Sequence, residues 1–202
     1  MSVSWGTVPM PSIEPVFDLS PKTQQTLLTL ARQAISHGLH HEETFPLDLQ
    51  QFDSQLTNKG CCFVTLHISG QLRGCMGALS ASQALVKDLI EHAYAAAFRD
   101  PRFPRVSAEE LPKLHIEIAI LTPLSPILCH SEAELLEQLQ PFKDGLVLED
   151  EHYRATFLPS VWEHLPDKIQ FLRELKRKAG MPADYWSDSL KAYRYHTLTF
   201  SE

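Results

Sequence analysis

The stretch Leu114-His115-Ile116-Glu117-Ile118-Ala119-Ile120-Leu121 places the tightest constraint on how this chain can fold. Alternate side chains of a strand leave opposite faces, so His115, Glu117 and Ala119 share one side while Ile116, Ile118 and Ile120 share the other. The isoleucine side must lie on a core. The other side then carries an imidazole and a carboxylate. A second strand is predicted over Cys61 to Ile68 from its β-branched and aromatic content, and Ser69-Gly70 is a turn signal leading into Leu72 to Leu79, so a hairpin is expected.

Helical patterns lie on either side of these strands. Ser20-Pro21 has the form of an N-cap followed by proline at the first helical position, and Leu27, Leu28, Leu30, Ala31, Ala34 and Ile35 supply one apolar face as far as Gly38. Leu47 to Leu56 reads as loop with a short turn. From Ser82 onward Leu85, Val86, Leu89, Ile90, Ala93, Ala96 and Ala97 recur at helical spacing until Asp100-Pro101. Ser131 and Glu134 open a short helix ending at Leu139. Asp144-Gly145 is a turn before strands at Leu146 to Glu149 and Tyr153 to Leu158. Asp167 caps a helix whose Ile169, Phe171, Leu172 and Leu175 are expected to face inward and which stops at Gly180. Ala192 to Phe200 reads as one extended tail. Strands and helices are interspersed without steady alternation, which favours an α+β fold over a doubly wound parallel sheet.

With 202 residues, 44% of them hydrophobic, the chain can build one substantial core or two small ones sharing a junction. Residues 1–19, with Pro9, Pro11 and Pro15, form a proline-containing lead that does not read as a signal peptide, and 20–202 form the domain. A net charge of -7 gives no general attraction to phosphate backbones, so nucleic acid is not an expected partner. The basic run Arg173, Lys176, Arg177 and Lys178 is read as a solvated helix face. No apolar stretch approaches the roughly 20 residues of a membrane helix, and a cytoplasmic location is expected. Cys61, Cys62, Cys75 and Cys129 lack C-x-x-C spacing and are expected to be free thiols in a reducing compartment.

The chemistry concentrates at Leu72-Arg73-Gly74-Cys75-Met76-Gly77. Glycine tolerates positive φ and close backbone approach, so this segment is read as a permissive turn that holds a thiol against backbone amides ahead of a helix. Cys75 admits two readings, a nucleophile activated beside Arg73 or a small buried hydrophobe. A nucleophile needs a base, for which Glu117, His115 and His67 are candidates. Arg73, Arg99, Arg102 and Arg105 lie close in sequence. Arg73 is taken as a ligand contact, and Arg102 is favoured for an internal tie to a carboxylate, Asp100 or Glu117.

Other chemistries find less support. His115-x-Glu117 is similar to the His-x-Glu of zinc deaminases, but the Pro-Cys-x-x-Cys partner is absent. His40 and His41 are adjacent, whereas one helical face would need them four apart. No native metal and no cofactor are expected. There is no phosphate loop, dinucleotide fingerprint or Gly-x-Ser-x-Gly elbow. Trp162, Tyr185, Trp186 and Phe103 are read as core rather than as a stacking platform.

Taken together these residues resemble the AMMECR domain family, in particular the bacterial branch called AmmeMemoRadiSam system protein A. The resemblance runs through the Leu72 to Gly77 motif, Ala95-Ala96-Ala97-Phe98-Arg99-Asp100-Pro101-Arg102-Phe103, Leu114 to Ile118, Asp144-Gly145-Leu146, Phe157 to Glu163 and Phe171 to Gly180. It implies an α+β domain with a mixed, largely antiparallel sheet flanked by helices, in two unequal lobes with a groove between them. Both chain ends would lie in the larger lobe, and the motif near the groove. It also implies a shared genetic setting with a Memo-like protein and a radical SAM protein. Met76 replaces the family's usual isoleucine, a volume-conserving change. Lys176 stands where the archaeal and eukaryotic branch often has a cysteine.

The expected site therefore has Cys75 and Glu117 in catalytic roles and Arg73, Gly74, Met76, Gly77, Arg102 and His115 around an unidentified small anionic molecule. The backbone amides from Gly74 to Gly77 would stabilise the anion. The chain would act as an accessory or cysteine-dependent enzyme. The rival reading is a non-catalytic protein-interaction module, and a third is RNA or nucleotide binding.

Overall fold

The computed structural model describes residues 19–202, and the proline-containing lead therefore lies outside the described residues except for Leu19. Helix α1 (Pro21–His41) starts as its sequence requires, the Ser20 hydroxyl accepting a hydrogen bond from the Thr23 amide. It runs one turn beyond Gly38, because Gly38 is the place where Tyr94 and Phe98 press on the helix and a Cβ would lie within 2.5 Å of the Phe98 ring. Glu42, at φ 58°, ends it. The Leu47 to Leu56 region holds a 3-10 turn, Leu49–Gln51, and the single-turn α2 (Ser54–Thr57).

The first sheet consists of β2 (Cys62–Ile68), β3 (Gln71–Gly77), β5 (His115–Leu121) and β10 (Thr197–Ser201), in the order β10-β5-β2-β3. A small ribbon pairs β1 (Lys59–Gly60) with β4 (Gln83–Ala84), which leads into α3 (Leu85–Phe98). The hairpin β2–β3 turns through Ser69 and Gly70, both at positive φ, as a tight two-residue turn requires. The apolar face of this sheet, with Val64, Leu66, Ile116, Ile118 and Ile120, packs on α1 and α3 to form the larger core.

The second sheet, in the order β6-β9-β7-β8, contains β6 (Ser125–Ile127), β7 (Gly145–Asp150), β8 (Tyr153–Phe157) and β9 (Lys191–Tyr195). Together with α4 (Glu132–Gln138) and α5 (Lys168–Ala179) it encloses a separate core around Leu135, Leu146, Trp162, Phe171 and Leu175. The Trp162 indole stacks on Phe171 at 3.6 Å, and its N–H donates to the Asp144 carbonyl. A third, smaller cluster of Cys61, Leu121, Val147 and Tyr195, with Phe63, Leu79 and Leu158 against it, joins the two lobes. All pairings among the described strands are antiparallel. The α+β class, the antiparallel sheets flanked by helices and the placement of the main helices agree with the sequence, although α1 continues to His41 and α3 begins at Leu85.

Three expectations are corrected. Residues 71–77 are a strand and not a turn. The extended tail is two strands in different sheets, broken at His196. On α5 Ile169 is exposed, while Lys176, read as part of a solvated face, is fully buried and bonds Glu132 and the Ala183 carbonyl. Lys176 sits four residues after Leu172 and five after Phe171, so the helix turns it inward, and its charge is met by a carboxylate from α4.

The glycines of the motif allow close packing. A Cβ on Gly74 would stand 2.2 Å from the Ala96 carbonyl oxygen of α3, and one on Gly77 would meet Phe63 at 2.4 Å. Neither has positive φ. Helix α3 can settle on the sheet only because position 74 lacks a side chain. Gly74→Ala is expected to destabilise the protein by about 3 kcal/mol or more, since backbone must move to relieve the overlap. Urea denaturation followed by circular dichroism measures it.

Candidate functional site

The face of the first sheet turned away from α1 and α3 carries the chemistry. Antiparallel register sets Thr65 opposite Cys75 on one side and opposite Glu117 on the other, so the three side chains form one row across β3, β2 and β5. The next row pairs His67 with His115. In the opposite direction along β2, Phe63 enters the junction between the lobes, so the polar rows begin where that junction ends. Cys75, Thr65, Glu117 and His67 are half-buried and His115 is exposed.

The Thr65 hydroxyl donates to the Cys75 sulfur at 3.4 Å. The backbones bearing Cys75 and Glu117 are two strand spacings apart, about 10 Å, with Thr65 between them. Cys75 and Glu117 therefore flank Thr65 on one face of the sheet without forming a direct pair. Among the described residues no hydrogen bond or ion pair from protein groups occupies the side chains of Glu117, His67 or His115.

The frame around this row is tightly bonded. Strand β3 is an edge strand, and the Cys75 amide, which points away from β2, donates to the Asp100 carboxylate at 2.9 Å. Arg102 binds the same carboxylate through Nε at 3.0 Å and Nη2 at 2.7 Å, and Nη2 also reaches the Cys75 carbonyl at 3.4 Å. The pair mimics a neighbouring strand for one residue. The hydrogen bonds from Arg102, with those from the Cys75 and Arg102 amides, hold the buried Asp100 carboxyl well below the usual carboxylate range against the opposing effect of burial.

Arg73 grips Glu110 with Nε at 2.7 Å and Nη2 at 2.9 Å, and Nη2 also meets the Arg105 carbonyl. Its Nη1 is buried without a partner. Arg99 and Arg105 lie over the rings of Tyr94 and Phe98. The four arginines thus each have protein partners. Gly74 and Gly77 serve packing, Met76 packs against the larger core, and the Cys75 amide is used by Asp100.

Lys178, in the last turn of α5, brings a cation from the other lobe. Its ammonium donates to the Thr156 carbonyl at 3.0 Å and lies over the Phe157 ring at 5.2 Å. Partial desolvation of this exposed side chain lowers its pKa, Cys75 acts in the opposite sense and Arg102 lowers it further. Sequence reasoning placed Lys178 in a solvated basic run and did not single out Thr65. Thr65 follows from strand register alone, but Lys178 requires the packing of the lobes. The remaining thiols are less open to chemistry. Burial, with Asp88, pushes Cys61 up to about 11 and Cys62 well above its ordinary value.

Fold and site together define a two-lobed α+β protein with a half-buried cysteine on the polar face of an antiparallel sheet, ringed by fixed arginine–carboxylate pairs. The AMMECR1 family model matches residues 28–200, and the chain belongs to this family. It is 37% identical over 158 residues to Protein MJ0810 of Methanocaldococcus jannaschii, covering 76% of this chain and 79% of that one. A protein of Methanothermobacter thermautotrophicus is 36% identical over 186 residues, covering 91% and 96%. The crystal structure of uncharacterized protein PH0010 from Pyrococcus horikoshii is similar with a TM-score of 0.81 and 33% identity, over 88% of this chain and 90% of that one. Among the described residues no helix is long and apolar enough to cross a membrane.

Asp100→Ala leaves the Cys75 amide without its acceptor on the sheet edge, and a loss of about 1–3 kcal/mol is expected in urea denaturation. Because the folded Asp100 carboxyl titrates below its unfolded value of about 3.9, the tie contributes fully above that pH and is lost as acid is added below it. Asp100→Asn is accordingly expected to lose less stability than the parent protein between pH 4 and lower pH, as read from acid-dependent urea midpoints.

Proposed function

We propose that the space between the Cys75–Thr65–Glu117 row and Lys178 binds a small anionic molecule, and that the protein is an accessory or cysteine-dependent enzyme. The observation that carries this reading is the row itself: a half-buried thiol with a hydroxyl donor on its sulfur, facing a carboxylate that no protein group engages. Proteins that need such residues only for stability pair them, as Asp100 and Glu110 are paired here.

The ligand's negative charge would meet Lys178 and the half-exposed Arg102. Arg73, committed to Glu110, would stiffen the motif more than it would touch the ligand, while its unpartnered Nη1 keeps one donor for it. Gly74, Met76 and Gly77 would shape the wall, and His115 with His67 would border the outer end. Cys75, its proton lost to solvent and its sulfur held by the Thr65 hydroxyl, would attack an electrophilic carbon of the ligand as a thiolate, and the bond from that carbon to a leaving group would break as the carbon–sulfur bond forms. Glu117, on the far side of the ligand, would move a second proton.

In this reading the chain is of the bacterial branch, works in the cytoplasm beside a Memo-like and a radical SAM protein, and draws its substrate from that chemistry. Lys176, in place of the cysteine common in the other branch, supports the assignment, because Cys75 then has no partner thiol on α5. The docking alternative keeps the same groove for a partner protein. RNA binding loses its basic face, since Lys176 is buried and Arg177 is held by Glu174.

Alkylation of the folded protein by iodoacetamide across a pH series, read by peptide mass spectrometry, tests the reading. Cys75 is expected to react first, well ahead of Cys61 and Cys62, and to be protected by the anions that bind. A Cys75 that stays unmodified until the protein unfolds would end the nucleophile assignment. Cys75→Ser is expected to abolish turnover while partner binding persists, whereas unchanged function in that variant would favour docking.

A further inference from the structure

We propose that Cys62, Asp88 and His92 form a binding site for a single divalent transition-metal ion of the zinc type. The three residues come from two rigid elements. Asp88 and His92 stand four apart on the same face of α3, and Cys62 opens β2, directly beneath them. The Cys62 sulfur lies 3.6 Å from Asp88 Oδ2, and His92 Nδ1 lies 3.1 Å from the same oxygen. All three donor atoms fall within 4.8 Å of one another, and no other such group of three occurs among the described residues.

These separations are those of a tetrahedral metal site. Zinc binds thiolate sulfur at about 2.3 Å and imidazole nitrogen or carboxylate oxygen at about 2.0 Å. At a tetrahedral angle such bonds set sulfur and oxygen about 3.5 Å apart and nitrogen and oxygen about 3.3 Å apart. The two edges to Asp88 differ from these by about 0.2 Å or less, and the sulfur and nitrogen lie within 4.8 Å of each other. Asp88 thus already stands within reach of both other donors.

The donor set selects the ion. Thiolate with imidazole and one carboxylate suits zinc, cobalt or a similar borderline cation, and excludes magnesium and calcium, which take oxygen. A backbone hydrogen bond supports the carboxylate. The Cys62 amide donates to Asp88 Oδ2 at 2.9 Å and would keep the carboxylate oriented, while Oδ1 accepts no hydrogen bond from the described residues. Forming the site releases the Cys62 thiol proton to solvent, and His92 gives up the Nδ1 proton that now bonds Asp88, leaving a neutral ring protonated at Nε2. Three protein ligands leave a fourth position for water, and His92, the half-buried member, marks the side from which ion and water would arrive.

The site lies on the helix-facing side of the first sheet, opposite the face that carries Cys75, and stands or falls independently of the proposed ligand groove. The sequence held one trace of it, the Asp-x-x-x-His spacing on an amphipathic helix. The third donor becomes visible only when β2 packs under α3.

Cobalt titration of the reduced, chelator-treated full chain tests the proposal. One equivalent of Co(II) is expected to produce a sulfur-to-cobalt charge-transfer band and tetrahedral visible bands, both erased by Zn(II). Cys62→Ala and His92→Gln should weaken binding by at least about tenfold, while Cys75→Ser and Cys129→Ser leave it unchanged. If Cys62→Ala fails to fold, His92→Gln with an unaltered melting curve decides the matter. Absent bands in the parent protein, or bands that survive both ligand substitutions, would overturn the proposal and leave Asp88 as a hydrogen-bonding tie alone.

Discussion

The carboxylate of Asp100 holds the organisation of the first lobe together. An edge strand offers unpaired amides and carbonyls, and β3 offers them beside the half-buried Cys75 thiol. Asp100 and Arg102 answer the Cys75 amide and carbonyl, so the chain leaving α3 covers the edge that α3's own sheet would otherwise expose. The same bonds fix the end of α3 and the course of 100–105. From there Arg105 offers its carbonyl to Arg73, and Glu110 clamps the guanidinium of that residue. One acid thus links the helix end, the strand edge and the following loop.

This arrangement separates rigidity from chemistry. Groups bonded into the frame, Arg73, Asp100, Arg102 and Glu110, surround a row in which Thr65 touches Cys75 and Glu117 stays uncommitted. The sheet adds to the separation, since one face is filled with isoleucine, leucine and valine on two helices and the other is polar. Two glycines make the separation possible by letting helix and neighbouring side chains come closer than any side chain at those positions would permit.

Much of the fold could be read along the chain wherever local physics is decisive. The alternation in 115–121 defined a strand and the composition of its two faces, and Ser20-Pro21 and Gly180 marked helix ends through capping chemistry. Long-range facts were not legible. Residues 71–77 looked like a turn because glycine signals both turns and close packing, and only the Ala96 carbonyl distinguishes them. Lys176 looked solvated because its partner Glu132 lies on another helix. Cys75 and Glu117 could be named separately, but their common row depends on the register of β2.

Strands β9 and β10 follow each other with only His196 between them, yet they belong to different sheets. At that residue the amide donates to the Thr122 hydroxyl, the carbonyl accepts from the Thr122 amide, and the ring meets buried Asp144. The two sheets are therefore spliced by a residue pinned at three points, with no slack in which a hinge could turn. A displacement of one sheet at this point is therefore passed to the other through the bonds of a single residue instead of being absorbed by a linker.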